Sequence, residues 1–260
     1  MRWWTAALVV LAGANMTRAA VRTEVIEYKH GDVVLEGYLA YDDAAAGQRP
    51  GVLICHEWTG HNPYVRKRAE QLAALGYVAF ALDMYGKGVT AKSRQDAVAK
   101  SSVFKKDRPL MRARAGAGLD VLRKHPSVDT KRLAAIGYCF GGTCTLELAR
   151  GGADLAGFVS FHGDLTTPTP GDAKNIKGKV LALHGADDPF VPAKDVAAFE
   201  KEMRDGGVDW QLVKYGGAVH SFTNPGAGGD NKSGAAYNAR ADARSWQSMR
   251  DFFAELFPEK

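Results

Sequence analysis

The feature that most constrains the fold is a short glycine-rich segment, Gly-Tyr-Cys-Phe-Gly-Gly, at residues 137–142. The apolar run 132–136 before it predicts a buried strand, and residues 143–149 after it predict a helix. Cys139 would therefore lie on a sharp strand-to-helix turn, where only small neighbours avoid a clash. This spacing is typical of a nucleophile elbow, with cysteine in the place where serine is usual. The helix start adds backbone amides and a positive dipole end, which favour a thiolate or an oxyanion.

Strand and helix signals alternate along the rest of the chain. Alternating residues predict an opening antiparallel hairpin, with strands at 24–29 and 33–41. Short apolar runs predict further strands at 51–55, 77–82, 132–136, 157–161, 179–184 and 210–215. Helical periodicity predicts helices from about residue 63, over 93–106, 109–124 and 143–149, from residue 192, and over 246–256. This alternation is typical of an α/β fold with a mostly parallel, doubly wound sheet and helices on both faces.

Length and composition limit the class of protein. The chain has 260 residues, of which 46% are hydrophobic and 24% charged, enough for one sizeable core. We therefore expect a single domain over residues 20–260, as a monomer or a small homo-oligomer. The formal net charge of +5 is small and scattered, so it predicts neither a nucleic-acid nor a membrane partner.

The first residues predict a signal peptide over 1–19. Arg2 gives a basic start, residues 5–14 form an apolar stretch, and residues 17–19 supply small side chains at the −3 and −1 positions. The apolar stretch is too short to span a bilayer. We expect a periplasmic or secreted protein, or a cytoplasmic one if Met16 is the true start.

The three cysteines do not form an even-numbered disulfide framework. The sequence also lacks a Cys-x-x-Cys pair and a Cys/His cluster with zinc spacing. We therefore predict no metal.

Polar residues follow four of the predicted strands, where chemistry gathers in a parallel sheet. They are residues 56–58, Cys139, residues 187–188 and His220. Hydrolases built on this elbow have the chain order nucleophile, acid, histidine. His220 is the only histidine downstream of a strand-end acid that itself follows Cys139. Asp188 is favoured over Asp187, which we expect to be a turn residue, because the residue before a proline is held extended.

Each of these residues has a chemical role that it can perform. A free cysteine thiol has a pKa of about 8.5 and is mostly protonated at neutral pH. His220 would take the proton of Cys139, and Asp188 would orient the ring. The sulfur would then attack an ester carbonyl and form a thioester acyl-enzyme. We assign the backbone amides of Trp58 and Phe140 to the oxyanion hole.

Two further side chains lie close to these positions in the predicted sheet. Glu57 would oppose thiolate formation and keep the resting thiol protonated, the alternative being a solvated loop glutamate. His162 follows a strand and either makes structural hydrogen bonds, the favoured interpretation, or lines the pocket.

Four ordered motifs together resemble the dienelactone hydrolase family, at residues 55–60, 137–142, 184–192 and 220–222. The resemblance covers nearly the whole chain after the leader. It implies an α/β-hydrolase fold, a Cys139–Asp188–His220 triad, and hydrolysis of an unsaturated enol lactone without a cofactor. It also implies that Glu57 holds the thiol in the resting enzyme until substrate binds.

The resemblance further implies a set of substrate-binding positions, which here are Tyr85, Lys87, Phe222 and Asn224. The best-known family members carry arginines where this chain has Lys87 and Asn224. Lysine keeps the charge but loses the bidentate fork, and asparagine loses the charge. The substrate could therefore be a dienelactone or another small ester. A peptidase or acyltransferase on the same fold and a non-catalytic binding protein are the alternatives.

Overall fold

Eight strands form one sheet in the computed structural model, which describes residues 21–258. They are β1 (Val21–His30), β2 (Val33–Asp42), β3 (Arg49–Cys55), β4 (Val78–Ala81), β5 (Val128–Tyr138), β6 (Gly157–Phe161), β7 (Lys179–Gly185) and β8 (Trp210–Tyr215). Their spatial order is β1-β2-β4-β3-β5-β6-β7-β8. The first two strands form an antiparallel hairpin, β2 pairs antiparallel with β4, and all remaining pairs are parallel. The predicted α/β class, opening hairpin and mostly parallel sheet are confirmed.

Helices cover both faces of this sheet. They are α1 (Pro63–Ala73), α2 (Arg94–Lys106), α3 (Arg108–Lys124), α4 (Phe140–Arg150), α5 (Ala193–Asp205) and α6 (Ala239–Leu256). The side chains of α1 and α6 pack into one core cluster, and those of α2 to α5 pack into the other. Helix starts follow local chemistry: the Asn62 side chain accepts hydrogen bonds from the first amides of α1, and Ser93 caps α2.

The two cores arise because successive side chains of a strand point to opposite faces of the sheet. In β3, Val52 and Ile54 enter the core under α1 and α6, whereas Leu53 and Cys55 enter the opposite core. All four are fully buried. A parallel strand that is covered on both faces has a continuous apolar sequence, and β3 shows this pattern.

Several element boundaries differ from the sequence prediction, and two of these differences concern the elbow. The fifth strand begins at Val128 rather than 132, because its first residues pair with Arg49 and Pro50 before a register shift at Pro50/Gly51. Helix α4 begins at Phe140 rather than 143, so the glycines after Cys139 belong to its first turn. The elbow is therefore tighter than the sequence predicted.

The predicted signal peptide, residues 1–19, lies outside the described residues. Across residues 21–258, no helix combines the length and apolarity needed to cross a bilayer.

Candidate active site

The turn between β5 and α4 presents Cys139 above the carboxyl edge of the sheet. Cys139 has a φ of 53°, in the left-handed region that non-glycine residues rarely adopt. Glycine is required beside it, because a Cβ on Gly141 would lie 2.1 Å from the carbonyl oxygen of Cys55. Cys139 is partly exposed, whereas Cys55 and Cys144 are buried. The elbow thus exposes one thiol at the strand end.

The Cys139 thiol contacts an imidazole that a carboxylate orients. The distance from Cys139 Sγ to His220 Nε2 is 3.0 Å, and His220 Nδ1 lies 2.8 Å from Asp188 Oδ2. Since the carboxylate accepts a hydrogen bond, Nδ1 carries the proton and Nε2 faces the sulfur. The backbone amide of Phe190 donates to the other Asp188 oxygen at 2.8 Å. The three residues predicted from chain order therefore contact one another in the order thiol, imidazole, carboxylate.

The second aspartate of the pair has a different position. Asp187 is exposed and accepts a hydrogen bond from the backbone amide of Gly217 at 3.0 Å. Asp187 therefore lies in a turn, as predicted, and its carboxylate also bonds the start of the loop that carries His220. Asp188 is buried and makes the histidine contact.

Opposing effects act on the pKa of His220. Burial alone would lower it, but the charge of an ionised Cys139 and the hydrogen bond to Asp188 outweigh burial and raise the pKa to about 10. The surroundings therefore stabilise an imidazolium, which is the state that follows proton transfer from a thiol.

His220 lies in a long loop, residues 216–238, between β8 and α6. The backbone amide of Ala236 donates to the His220 carbonyl at 3.0 Å. The side-chain amides of Asn231 and Asn238 both donate to the Gly217 carbonyl, each at 3.1 Å. These bonds join the two ends of the loop and fix the position of the imidazole.

A second histidine holds the loop after β3. His56 Nε2 accepts from the Met84 amide at 3.1 Å, so Nδ1 carries the proton and donates to the Glu57 carbonyl at 2.6 Å. The Tyr85 hydroxyl donates to the Trp58 carbonyl at 2.9 Å. Both bonds fix carbonyls of this loop.

The two predicted oxyanion donors are the backbone amides of Trp58, in the loop after β3, and of Phe140, the first residue of α4. The backbone amides of Trp58 and Phe140 make no hydrogen bond with any other group of residues 21–258. Both residues line the pocket. Free amides at the end of β3 and at the start of α4 are suited to bind developing negative charge.

Glu57 points into the same pocket and is buried. Burial raises its pKa to about 7, although the Asn224 amide and the charges of His220 and Arg68 act in the opposite direction. Asn224 Nδ2 donates to Glu57 Oε2 at 2.6 Å. The alternative of a solvated loop glutamate is therefore wrong.

The pocket above Cys139 has a volume of about 680 Å³. The lining also includes residues to which the sequence analysis gave no role, among them Arg94, Lys105 and Phe190. Arg94 and Lys105 come from opposite ends of α2, and the Arg94 guanidinium lies 5.7 Å from the Trp58 ring centre. Phe190 packs edge-on against the His220 ring at 5.5 Å. Phe190 lies within the motif at 184–192, but no motif marks Arg94 or Lys105, because only the packing of α2 brings them to the pocket.

Of the four predicted substrate-binding residues, only Asn224 lines the pocket. Lys87 is exposed and pairs with Glu27 of β1 at 2.5 Å, so its charge points away from the site. Tyr85 lies behind the Trp58 loop, to which its hydroxyl is bonded. Phe222 is fully buried in the α1/α6 core, where it packs on His162 and Tyr215. These three assignments are corrected.

The parallel sheet, the elbow and the oriented imidazole define an α/β-hydrolase. The model of the dienelactone hydrolase family matches residues 35–257, and the chain belongs to that family. It is therefore an enzyme of the carboxylic ester hydrolase class, and the resemblance seen in the sequence is confirmed.

Individual relatives agree with this assignment. A solved structure named m3DLH is 43% identical, with a TM-score of 0.88, and the alignment covers 92% of this chain and 99% of that one. A dienelactone hydrolase-like promiscuous phosphotriesterase from metagenomic libraries is 42% identical, with a TM-score of 0.87 and coverage of 91% and 99%. A Synechocystis protein provisionally named carboxymethylenebutenolidase is 26% identical over 253 residues, 90% of this chain and 96% of the relative.

Proposed function

We propose that the protein hydrolyses small carboxylic esters or lactones, in the manner of a dienelactone hydrolase, through a thioester formed on Cys139. The observation that carries this proposal is the continuous contact from Cys139 Sγ to His220 Nε2, at 3.0 Å, and from His220 Nδ1 to Asp188, at 2.8 Å. A thiol in contact with an oriented imidazole is the arrangement that activates a nucleophile.

The proposed reaction has two halves. First, His220 takes the thiol proton, Cys139 sulfur bonds to the ester carbonyl carbon, and the oxyanion binds the amides of Trp58 and Phe140. The C–O bond to the leaving group then breaks, and His220 returns the proton to the leaving oxygen. In the second half, His220 activates a water that attacks the thioester, which releases the acid and restores the thiol.

Replacing the nucleophile tests the proposal. We expect Cys139→Ala to lower the turnover of p-nitrophenyl acetate by about 10³-fold or more, while the thermal unfolding midpoint changes little. The control is Cys144→Ala, which removes a buried thiol of α4, five residues after Cys139, and should keep turnover per folded molecule. Near wild-type turnover by folded Cys139→Ala would contradict the proposal, and an acylated product in place of a free acid would indicate an acyltransferase.

We also propose that residues 1–19 direct export and are then removed. The basic start, the apolar stretch and the small residues at 17 and 19 support this. Expression in the native host should give a periplasmic or secreted protein whose mass corresponds to a chain beginning at Ala20. A cytoplasmic protein that begins at Met16 would contradict the proposal.

A further inference from the structure

A third imidazole lies directly below the elbow and takes no part in the proposed reaction. His162 is fully buried at the end of β6, next to the strand that leads to Cys139. The backbone amide of Cys139 is shared between two acceptors, the Phe161 carbonyl at 3.0 Å and His162 Nδ1 at 3.1 Å. One end of the His162 ring therefore touches the backbone of the nucleophile.

These contacts fix the proton on the His162 ring. Because Nδ1 accepts from an amide, Nε2 must carry the hydrogen, and it lies 2.7 Å from Thr223 Oγ1. His162 Nε2 therefore donates to Thr223, and the Thr223 hydroxyl hydrogen is free to point at the Tyr64 oxygen 2.6 Å away. The ring is a bridge with one acceptor end and one donor end.

The donor end of this bridge reaches the loop that carries the proposed general base. Thr223 is three residues after His220, and its carbonyl accepts from the buried Arg68 guanidinium at 2.8 Å. The rings of His162 and His220 also meet edge-on, with centres 5.4 Å apart. One side chain thus contacts both the nucleophile turn and the base loop.

Backbone strain is concentrated around the same bridge. Among residues 21–258, three residues other than glycine have positive φ: Cys139 at 53°, His162 at 40° and Ser221 at 56°. The first is bonded to His162, and the third lies between His220 and Thr223. Strained residues persist only when their surroundings hold them, and they gather at functional sites.

We propose that His162 is a positioning residue that sets the separation between the Cys139 sulfur and the His220 ring by bridging their two backbone segments. This inference rests on the proposed function, since that separation matters only if Cys139 is the nucleophile. It goes beyond a merely structural histidine, because it predicts an effect on the chemical step.

The surroundings keep the bridge neutral. Burial lowers the pKa of His162 well below its ordinary value, and the positive charges of His220, Arg68 and His184 act in the same direction. Its other close neighbours, Tyr138 and Phe222, are aromatic rings that carry no charge at neutral pH. A neutral His162 keeps its acceptor nitrogen for the Cys139 amide and adds no charge that opposes an imidazolium at His220.

Three variants separate the two ends of the bridge. His162→Phe keeps a ring but loses both hydrogen bonds. His162→Asn keeps an acceptor near the Cys139 amide but is too short to reach Thr223. Thr223→Val removes the acceptor on the loop and keeps the shape of the side chain.

We expect folded His162→Phe to lose about 10- to 100-fold in kcat while KM changes by less than about threefold, because a small misplacement of reacting groups slows chemistry. Iodoacetamide should also alkylate its Cys139 more slowly, and the buried Cys55 and Cys144 do not interfere with this readout. His162→Asn should recover part of the lost kcat. Adding Thr223→Val to His162→Asn should cost nothing further, since the bond between the two positions is already broken.

A merely structural role would lower the unfolding midpoint but leave kcat and the alkylation rate per folded molecule unchanged, and that result in His162→Phe overturns the inference. If this variant does not fold, wild-type kcat in both His162→Asn and Thr223→Val overturns it. His125→Phe is the control for losing a histidine outside the site. His125 is half-buried and precedes β5, at the end of that strand far from Cys139. Turnover by Cys139→Ala would refute the proposed function itself, which separates the two failures.

Discussion

Glu57 is a carboxyl group held in a buried position among polar groups of the pocket. Burial raises its pKa from 4.5 to about 7, and the hydrogen bond from Asn224 reverses only part of that effect. Between these two values the folded chain holds a proton that the unfolded chain has released. The free energy of unfolding therefore falls as the pH rises through this window.

Glu57→Gln should remove this pH dependence, because glutamine keeps an acceptor oxygen for Asn224 and does not ionise. We expect the variant to match the wild type at pH 5 and to exceed its free energy of unfolding by roughly 3 kcal/mol at pH 8. Thermal unfolding midpoints of both proteins at the two pH values measure this difference. An equal difference at both pH values would show that Glu57 ionises as it does in water.

At single residues, the sequence predicted which strand-end residues meet better than it predicted side-chain directions. Chain order identified Cys139, Asp188 and His220, because the fold places strand ends at one edge. Lys87 was assigned to the pocket from its place after a motif, yet position along a chain does not say which way a side chain points, and Lys87 points toward Glu27. Arg94 reaches the pocket through the packing of α2, which no local pattern encodes.

At the elbow, the start of α4 packs so closely on the end of β3 that no side chain fits between them. A Cβ on Gly141 would lie 2.1 Å from the Cys55 carbonyl, and one on Gly137 would lie 2.0 Å from the Gly141 carbonyl. These are backbone atoms of β3 and α4, so they cannot turn aside. The sequence predicted the elbow from its glycines but placed the start of α4 at 143 rather than Phe140, because helix periodicity cannot reveal glycines packed on a neighbouring strand.

Gly141→Ala should therefore destabilise the protein by about 3 kcal/mol or more and reduce turnover by the remaining folded molecules. Chemical denaturation measured beside an ester assay gives both quantities. An unchanged midpoint and unchanged turnover would mean that β3 and α4 are not in contact.

A helical glycine in an open position is the matched control. Gly116 lies in α3, and a Cβ there would meet no atom within 4 Å. Gly116→Ala should stabilise the protein by about 0.5–1 kcal/mol, because alanine restricts the unfolded chain and favours the helix. If Gly141→Ala lowers the free energy of unfolding and Gly116→Ala raises it, then packing, and not helix propensity, is the cause of the effect at Gly141.

Across the whole molecule, a buried ion cluster ties helices of one layer together. Arg150 of α4 is fully buried and donates to both oxygens of Glu202 in α5, at 2.7 and 2.8 Å. It also bonds Glu147 at 3.1 Å and the Leu165 carbonyl at 2.9 Å. Every hydrogen bond in this group compensates for charge removed from water.

Arg150→Met should cost about 3–5 kcal/mol of unfolding free energy, because it leaves the Glu202 carboxylate buried without its partner. Urea denaturation measures the loss. The control, Lys201→Met, breaks an exposed pair with Asp205 on α5 and should leave the midpoint unchanged. Equal effects of the two substitutions would contradict the role of burial.

The loop from 216 to 238 keeps its two ends joined while its middle borders the pocket. His220 is held by bonds near the ends, whereas Gly226 and Ala227 near the middle line the cavity. We therefore expect that length and composition at that midpoint can change, during evolution or in a library of variants, without displacing the imidazole. Under the proposed mechanism, the residues that would select a ligand are separate from the imidazole that would transfer the proton, so we expect new ester preferences to require changes at only a few residues.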